Sequence, residues 1–255
     1  MRIGHDFNGV PSPDSACAER DAWPGERGSA GRHVSVFVLL PGAGGSAWYW
    51  SRVVPLLQRA GHGAVAVDLP GDDENAGLPE YARLVIAAID GRHDVVLVAQ
   101  SLGAFTVPLI CSRADVRELV LVNAMIPNPG ETPGAWWENT GWDEARMSGA
   151  VTGGYSTEFD VDTYFLHDVP PEVAAAGESH VRSEANAVFE SVCDFEEWPG
   201  IPIRVLAGSG DRFFPLDFQR RIARERLGLQ PDVMPGGHLI ALSNPDGVAN
   251  YLLNP

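Results

Sequence analysis

Three residues of this sequence, Ser101, Asp211 and His238, could together perform nucleophilic catalysis. A serine hydroxyl attacks a carbonyl carbon efficiently only when a base removes its proton, and an imidazole base needs an acid to hold its tautomer. Ser101 stands in the sequence A-Q-S-L-G of residues 99–103, a variant of the G-x-S-x-G turn that presents a nucleophilic serine between a strand and a helix. Taken singly, each residue could equally be an ordinary turn or loop residue, so the hypothesis depends on their combination.

A hydrolytic serine also requires two backbone N–H groups that face the negative charge developing on the carbonyl oxygen. Leu102, which follows the serine at the start of a predicted helix, is expected to supply one of them. Ala43 is expected to supply the other, because the glycine-rich residues 42–45 allow the backbone to fold close to the serine. The residues predicted to line a substrate pocket beside these groups are Gly42, Trp48, Trp136 and His167.

The predicted elements place these residues at one edge of a sheet. Apolar strand-like runs alternate with helical patterns, which predicts an α/β fold with a doubly wound, mostly parallel sheet and helices on both faces. In such a sheet, functional groups collect at the carboxyl ends of the strands. Besides the apolar run before Ser101, strands are predicted at residues 34–40, 64–67, 118–122, 203–207 and 232–234, and helices at 50–60, 79–89, 102–112, 171–176, 178–192, 216–227 and 245–253.

The pattern predicts one folded domain over residues 33–255, with an inserted lid at about 125–200. Clustered aromatic residues and glycine- and proline-rich breaks interrupt the strand–helix alternation in that stretch. Residues 1–32 are rich in Gly, Pro, Ser and acidic residues without periodicity, which predicts a flexible tail. Because no apolar stretch resembles a signal peptide or is long enough to span a membrane, a cytoplasmic location is predicted.

The composition restricts the classes of function. The net charge of −16 opposes binding to nucleic-acid phosphates and to acidic membrane surfaces. All 18 basic residues are arginines, so mechanisms that require a lysine, such as a Schiff base, are excluded. The scattered Cys17, Cys111 and Cys193 predict neither a disulfide framework nor a metal cluster. No metal and no cofactor are therefore predicted, and the sequence does not determine the oligomeric state.

The glycine-rich stretch allows a second interpretation. Residues 42–47 (G-A-G-G-S-A) satisfy G-x-G-x-x-G/A, which, after a strand and before an acidic residue such as Asp68, is a dinucleotide-binding fingerprint. Two observations weaken this interpretation. The aromatic residues 48–50 crowd the helix start where a pyrophosphate would bind, and no lysine is available for the Tyr–Lys pair of a short-chain reductase. Asp68 is therefore predicted to cap the loop.

The sequence resembles the α/β-hydrolase superfamily, and more narrowly the branch that contains plant-type hydroxynitrile lyases and methylesterases. The similarity covers roughly residues 34–255 and is carried by residues 37–50 (FVLLPGAGGSAWYW), by the turn around Ser101, by G-D at 210–211 and by G-G-H at 236–238. The resemblance implies that fold, with Ser101 as the nucleophile, His238 as the base, Asp211 as the orienting acid, and Ala43 and Leu102 as the oxyanion donors.

Four positions depart from the pattern of this branch. The hydroxynitrile lyases place a lysine directly after the catalytic histidine, where this chain has Leu239, and a threonine in the oxyanion loop, where it has Gly42. The histidine that usually precedes the loop glycine is Pro41, and Ala99 replaces the first glycine of the serine turn. The first two departures disfavour lyase activity.

The sequence therefore predicts a serine hydrolase that cleaves an ester or related acyl compound through an acyl-enzyme intermediate. The tryptophans near the predicted site indicate a small apolar or aromatic substrate. The main alternative is a small-ligand-binding protein on the same fold with a silent triad, because a fold does not determine function. A lyase resembling the hydroxynitrile lyases and a dinucleotide-binding oxidoreductase are weaker alternatives.

Overall fold

A computed structural model of the protein describes residues 34–255, so the predicted tail over 1–32 and Cys17 lie outside the described residues. Within the described range, six strands form one sheet in the order β2-β1-β3-β4-β5-β6, and every neighbouring pair is parallel. The predicted α/β fold is confirmed. The strands are β1 (Val36–Leu40), β2 (Gly63–Ala66), β3 (Val95–Gln100), β4 (Val116–Val122), β5 (Ile203–Gly208) and β6 (Asp232–Met234).

The strand order reverses between β1 and β3, and this reversal locates the crevice of the sheet. From β1 the chain crosses to β2 on one side, whereas β3 and the later strands lie on the other side. The loops that leave β1 and β3 therefore diverge, and ligands of open α/β sheets bind in such a crevice at the carboxyl ends of the strands. The glycine-rich loop follows β1 and Ser101 follows β3, so the crevice lies between them.

Helices cover both faces of the sheet. Leu40 and Leu97 point to the face covered by the helices at Leu78–Ile89, Val107–Cys111 and Leu216–Leu227. Leu39 and Val98 point to the opposite face, which is covered by the helices at Val54–Arg59, Ile240–Ser243 and Pro245–Leu253. Among residues 34–255, no helix is long and apolar enough to cross a membrane. The helices are α1 (Val54–Arg59), α2 (Leu78–Ile89), α3 (Val107–Cys111), α4 (Pro133–Thr140), α5 (Trp142–Gly153), α6 (Pro171–Gly177), α7 (Asn186–Glu190), α8 (Leu216–Leu227), α9 (Ile240–Ser243) and α10 (Pro245–Leu253).

Two predicted helices are each divided in the structure. The stretch predicted as a helix at 50–60 is a 3-10 helix over Ala47–Trp50 followed by α1, and the stretch at 102–112 is a 3-10 helix over Ser101–Phe105 followed by α3. A proline in the first turn of each second helix explains the division, because proline lacks the N–H that a continuous helix would need there.

Residues 124–202, between Asn123 at the end of β4 and the start of β5, form a segment without strands that we call the helical insertion. It contains α4 to α7, a π-helical segment over Asp162–Leu166 and a 3-10 helix over Glu178–His180. The sequence missed α4 and α5, and the single helix predicted at 178–192 is wrong, because this stretch is broken between the 3-10 helix and α7. The predicted lid at 125–200 lies within the helical insertion, and its function as a lid stays a prediction.

Candidate active site

The turn after β3 holds Ser101 in a strained backbone conformation. Its φ of 49° lies in the left-handed region that non-glycine residues seldom adopt. A Cβ on Gly103 would lie 2.4 Å from the carbonyl oxygen of Pro41, which explains the glycine at this position. Ala99, by contrast, is a buried residue of β3 beside Leu40 of β1, where the sheet accommodates a methyl group. The turn thus presents its serine as a nucleophile turn does, although the first glycine is absent.

Ser101, Asp211 and His238 form one chain of hydrogen bonds. Nε2 of His238 lies 3.1 Å from Oγ of Ser101, and Nδ1 lies 2.9 Å from Oδ2 of Asp211. Because a carboxylate only accepts, Nδ1 carries the hydrogen and Nε2 is left to accept from the serine hydroxyl. The exposed fractions are 6% for Ser101, 4% for Asp211 and 2% for His238. Water is therefore largely excluded, and hydrogen bonds are stronger in such surroundings.

Asp211 is oriented by donors from its own loop and from α8. Its Oδ1 accepts from the backbone N–H groups of Phe213 at 2.9 Å and Phe214 at 2.8 Å. Its Oδ2 accepts from Nε2 of Gln219 at 3.3 Å in addition to the imidazole. Gln219 is itself buried and donates to the carbonyl oxygen of Phe214 at 2.7 Å. The carboxylate therefore turns away from the imidazole only by losing several bonds.

Asn123, which the sequence analysis missed, ties the His238 loop to the sheet. It follows β4 with a φ of 43°, a conformation that asparagine tolerates better than most residues. Its Nδ2 donates to the carbonyl oxygens of Gly237 at 2.9 Å and His238 at 3.1 Å, and its Oδ1 accepts from the N–H of Gly208 at 2.8 Å. Gln100 adds a bond of 3.3 Å to the same His238 carbonyl. An asparagine directly after a buried strand was the available signal.

The glycine-rich loop after β1 passes directly beside Ser101. A Cβ on Gly42 would lie 2.9 Å from Cβ of Ser101 and 2.4 Å from Oε1 of Gln100, so this approach requires glycine. Ala43 is exposed on the same loop, and Leu102 is buried directly after the serine. The two residues predicted as oxyanion donors therefore come from the two segments that flank Ser101.

Asp68 caps the glycine-rich loop, as predicted. Its Oδ1 accepts from the N–H of Ala47 at 2.9 Å, and its carboxylate pairs with Arg182 of the helical insertion at 2.8 Å. Although burial raises the pKa of Asp68, the Ala47 N–H and the Arg182 guanidinium hold it below its ordinary value. The N–H of Gly44 donates to the carboxylate of Glu184. That carboxylate would repel a pyrophosphate, which further disfavours the dinucleotide interpretation.

The prediction that Trp136 lines the pocket is wrong. Its side chain is 0% exposed, and its Nε1 donates to the carbonyl oxygen of Ile126 at 3.0 Å. The indole packs against Phe214 and Phe218, with ring centroids 5.4 Å and 5.7 Å away. Trp136 therefore belongs to the hydrophobic core and not to the pocket.

The contacts of Trp48 and His167, the two other side chains predicted to line the pocket, involve the helical insertion: Trp48 packs against it, and His167 belongs to it. Trp48 is half-buried and stacks on His180, with ring centroids 5.4 Å apart. His167 lies beside the catalytic loops, where its Nε2 is 3.1 Å from the carbonyl oxygen of Gly210. Of these two, His167 contacts the backbone next to the triad.

Aromatic rings shield the His238 imidazole. The ring centroids of Phe165, Phe213 and Phe214 lie 5.2 Å, 5.0 Å and 4.9 Å from that of the imidazole. Phe213 and Phe214 follow Asp211, whereas Phe165 comes from the π-helical segment of the helical insertion. Sequence reasoning missed these rings, although F-F directly after G-D-R was a visible signal. They make the surroundings of the base apolar.

The remaining reactive side chains do not form a second centre in the described part of the chain. Within residues 34–255, no group of three or more His, Cys, Asp or Glu side chains is arranged to hold a metal ion. Cys111 and Cys193 are free thiols, and burial raises the pKa of each to about 12. Both thiols therefore stay protonated at neutral pH and are weak nucleophiles.

Comparison with known proteins places this geometry in context. Over residues 37–251 the chain matches the family described as "Alpha/beta hydrolase family". It is 25% identical to methylesterase 9 of Arabidopsis thaliana over 159 residues, which are 58% of this chain and 59% of the relative. It is 37% identical to the probable esterase PIR7A of Oryza sativa subsp. indica over 117 residues, which are 41% and 43% of the two chains. The chain spans about half the length of these curated relatives.

A solved structure extends the comparison to the whole fold. The crystal structure of polyneuridine aldehyde esterase superposes with a TM-score of 0.70 at 19% identity, covering 87% of this chain and 99% of the other. At this identity the likeness shows the fold alone. The family match and the curated relatives confirm the resemblance that the sequence indicated.

Proposed function

Because the chain belongs to the α/β hydrolase family, we propose that it is a serine hydrolase that cleaves an ester or a related acyl compound through an acyl-enzyme intermediate. The observation that carries the proposal is the buried chain of hydrogen bonds from Ser101 through His238 to Asp211. The relatives named as esterases support ester hydrolysis in general. The roles of the individual residues rest on the geometry.

In the acylation step, Nε2 of His238 takes the proton of the Ser101 hydroxyl while Oγ attacks the carbonyl carbon of the substrate. Asp211 stabilises the positively charged imidazole that results, because its Oδ2 accepts the hydrogen bond from Nδ1. The imidazole then gives its proton to the leaving alcohol, and the acyl group stays on Oγ. In the second half of the reaction, His238 removes a proton from a water molecule while the water oxygen bonds to the acyl carbon. The bond from this carbon to Oγ then breaks, the imidazole returns the proton to Oγ, and the acid is released.

The negative charge on the former carbonyl oxygen needs two donors in both halves of the reaction. The backbone N–H groups of Leu102 and Ala43 fill this role in the proposal. Leu102 is the second residue of the 3-10 helix that begins at Ser101, and Ala43 belongs to the loop that Gly42 brings beside Ser101. Because backbone donors are held by the fold, they need no reorganisation when the charge develops.

The proposed substrate is a small apolar or aromatic ester. Phe165 and Phe213 flank the base, so a bound substrate would meet aromatic rings on that side of the scissile bond. His167 and Gly42 also border the triad and stay in the proposed pocket. Trp48 contacts His180 of the helical insertion, and its place in the pocket rests on the sequence prediction.

A fluorophosphonate probe tests the nucleophile. We expect the wild type to be labelled at Ser101, as located by mass spectrometry, and Ser101→Ala to remain unlabelled while melting at the same temperature. Ser101→Ala should also lower kcat for ester hydrolysis by about 10⁶-fold, since removal of a triad nucleophile removes the covalent route. Ser148→Ala, at an exposed serine of α5, is the control and should be labelled as the wild type is.

A folded wild type that is not labelled would overturn the hydrolase proposal and favour the ligand-binding protein with a silent triad. Full hydrolysis by Ser101→Ala would instead refute the mechanism. A panel of esters, lactones, thioesters and amides, measured on the wild type and on Ser101→Ala, would define the acyl compound that the site prefers.

A further inference from the structure

Two consecutive residues of the helical insertion bond to the backbone that carries the catalytic acid and base. Nε2 of His167 donates to the carbonyl oxygen of Gly210 at 3.1 Å, and Oδ2 of Asp168 accepts from the N–H of Gly237 at 2.5 Å. Gly210 and Gly237 directly precede the acid and the base of the triad. One dipeptide therefore contacts both catalytic loops.

The backbone at these loops is shaped around this contact. A Cβ on Gly237 would lie 2.5 Å from Oδ1 of Asp168 and 2.9 Å from Cε1 of His167, so a side chain at Gly237 would displace the dipeptide. The N–H of Gly210 also donates to the carbonyl oxygen of Gly236 at 2.9 Å. We call residues 209–215, between β5 and α8, the acid loop, and residues 235–239, between β6 and α9, the base loop. The two loops are thus bonded to each other, and both are bonded to the helical insertion.

Each side chain of the dipeptide makes one hydrogen bond to a catalytic loop but leaves a second buried polar atom unpaired within residues 34–255. Nδ1 of His167 and Oδ1 of Asp168 are buried without a hydrogen-bond partner in the part of the chain that the structure describes. Each unpaired buried polar atom lowers the stability of the folded protein. What the pair does supply is one bond each to the peptide groups of Gly210 and Gly237, so the polar side chains are suited to holding those two peptide groups in place.

We propose that His167 and Asp168 are positioning residues, which hold the peptide groups before Asp211 and His238 so that the imidazole stays between the acid and the nucleophile. This inference rests on the proposed function. The base loop contains two consecutive glycines, one of them at a φ of 152°, and such a loop has many accessible conformations when it is not anchored. A displacement of about 1 Å of a catalytic group lowers rates by about 100-fold. Neither positioning residue needs to touch the reacting atoms.

Variants of Asp168 test the anchor at the base loop. Asp168→Ala removes the acceptor, and we expect kcat for ester hydrolysis to fall about tenfold while KM changes less than about twofold. Asp168→Asn keeps an acceptor oxygen and should retain kcat within about threefold. Glu172→Ala, at an exposed position of α6, removes the same charge from the helical insertion and is the control.

Variants of His167 test the anchor at the acid loop in the same way. His167→Phe keeps a ring of similar size without a donor, and it should lower kcat. His167→Gln keeps an N–H donor and should retain more of the wild-type kcat than His167→Phe.

A second measurement is independent of activity. The Nδ1 proton that His238 shares with Asp211 gives a low-field proton NMR signal when it is held in a stable hydrogen bond. We expect the signal in the wild type and in Asp168→Asn, and its loss or broadening in Asp168→Ala. The inference is overturned if Asp168→Ala keeps both the signal and kcat, or if Asp168→Asn falls as far as Asp168→Ala. A wild type that resists the fluorophosphonate probe, while its signal still responds to Asp168→Ala, would refute the proposed function and support the positioning role.

Discussion

The sheet edge and the helical insertion build the candidate site by different means. Ser101, Asp211 and His238 follow β3, β5 and β6, and the paired backbones of these strands hold the strand ends in place. The helical insertion has no strand within residues 124–202, and besides a few backbone bonds, such as that from the N–H of Ala185 to the carbonyl oxygen of Gly71, it joins the rest of the protein through side chains. Backbone pairing of the strands therefore brings the candidate catalytic groups together, whereas side-chain contacts of the helical insertion shield these groups and hold them in place.

Besides the pair between Arg182 and Asp68, the side-chain contacts of the helical insertion reach at least three further places around the sheet. His167 and Asp168 reach the acid and base loops. Glu184 accepts from the N–H of Gly44 and from the hydroxyl of Tyr81, so it reaches the glycine-rich loop and α2. The third contact is an ion pair with α8. An element attached at several places should unfold with the sheet and not before it.

The largest effect that would test this comparison is expected at the ion pair. Glu131 and Arg226 join the helical insertion to α8 through bonds of 2.5 Å and 3.0 Å, and their side chains are 4% and 6% exposed. Glu131→Ala leaves the arginine buried without its partner, so the free energy of unfolding should fall by about 3–5 kcal/mol. Urea denaturation followed by tryptophan fluorescence measures the change.

The matched control is Glu138→Ala, at an exposed glutamate of α4, which should change stability by less than about 0.5 kcal/mol. If the wild type showed a separate early unfolding transition in urea, and the fluorophosphonate probe still labelled Ser101 after it, the helical insertion would unfold alone. The expectation that the insertion unfolds together with the sheet would then be wrong.

A smaller effect is expected at Asn123, the residue through which the sheet itself holds the base loop. Asn123→Gly removes its bonds to Gly237, His238 and Gly208 but suits the left-handed backbone, so the change reports the bonds and not strain. The free energy of unfolding should fall by about 1–3 kcal/mol, and kcat should fall about tenfold. Denaturation and steady-state kinetics measure the two quantities.

Asn250→Ala, at an exposed position of α10, serves as the control for Asn123→Gly. Combining Asn123→Gly with Asp168→Ala sharpens the comparison further, because both residues act on the base loop. If the two changes add without interaction in the free energy of activation, then the sheet and the insertion do not share the task of positioning His238.

The smallest effect is a pH dependence at Glu184. Burial raises the pKa of this carboxyl above its ordinary value of 4.5, although the Tyr81 hydroxyl and the Gly44 N–H lower it. The folded state therefore holds the proton more tightly than the unfolded state, and the contribution of Glu184 to stability falls as the pH rises above about 4.5. Compared with Glu184→Gln, the melting temperature of the wild type should fall as the pH rises above about 4.5, the ordinary pKa of the group. Glu178→Gln, at an exposed glutamate, is the control, and a pH-independent difference at Glu184 would contradict the prediction.

Much of the sheet could be predicted from the sequence because its signals are local. The helix at 216–227, the strand at 232–234 and the helix at 245–253 have the predicted bounds. Amphipathic spacing, the glycine after α8 and the proline that opens α10 are visible within a few residues of each boundary. Ser101, Asp211 and His238 could be selected in the same way, since each follows a strand.

The helical insertion could not be predicted to the same extent. α4 and α5 lack a regular apolar face, and Gly149 and Gly153 within α5 argue against a helix when they are seen alone. Trp136 looked like a pocket residue because nothing in its neighbourhood along the chain shows that Phe214 and Phe218 lie against it.

The alternating elements, the strand ends that carry Ser101, Asp211 and His238, and the glycine-rich loop are encoded locally in the sequence. Each of these follows from residues a few positions apart, through periodicity, turn chemistry and capping. That Asn123, Phe165 and the dipeptide at 167–168 surround His238 depends on the tertiary structure. Side-chain bonds between residues about 70 to 115 positions apart depend on the packing of whole elements, and no local pattern encodes that packing.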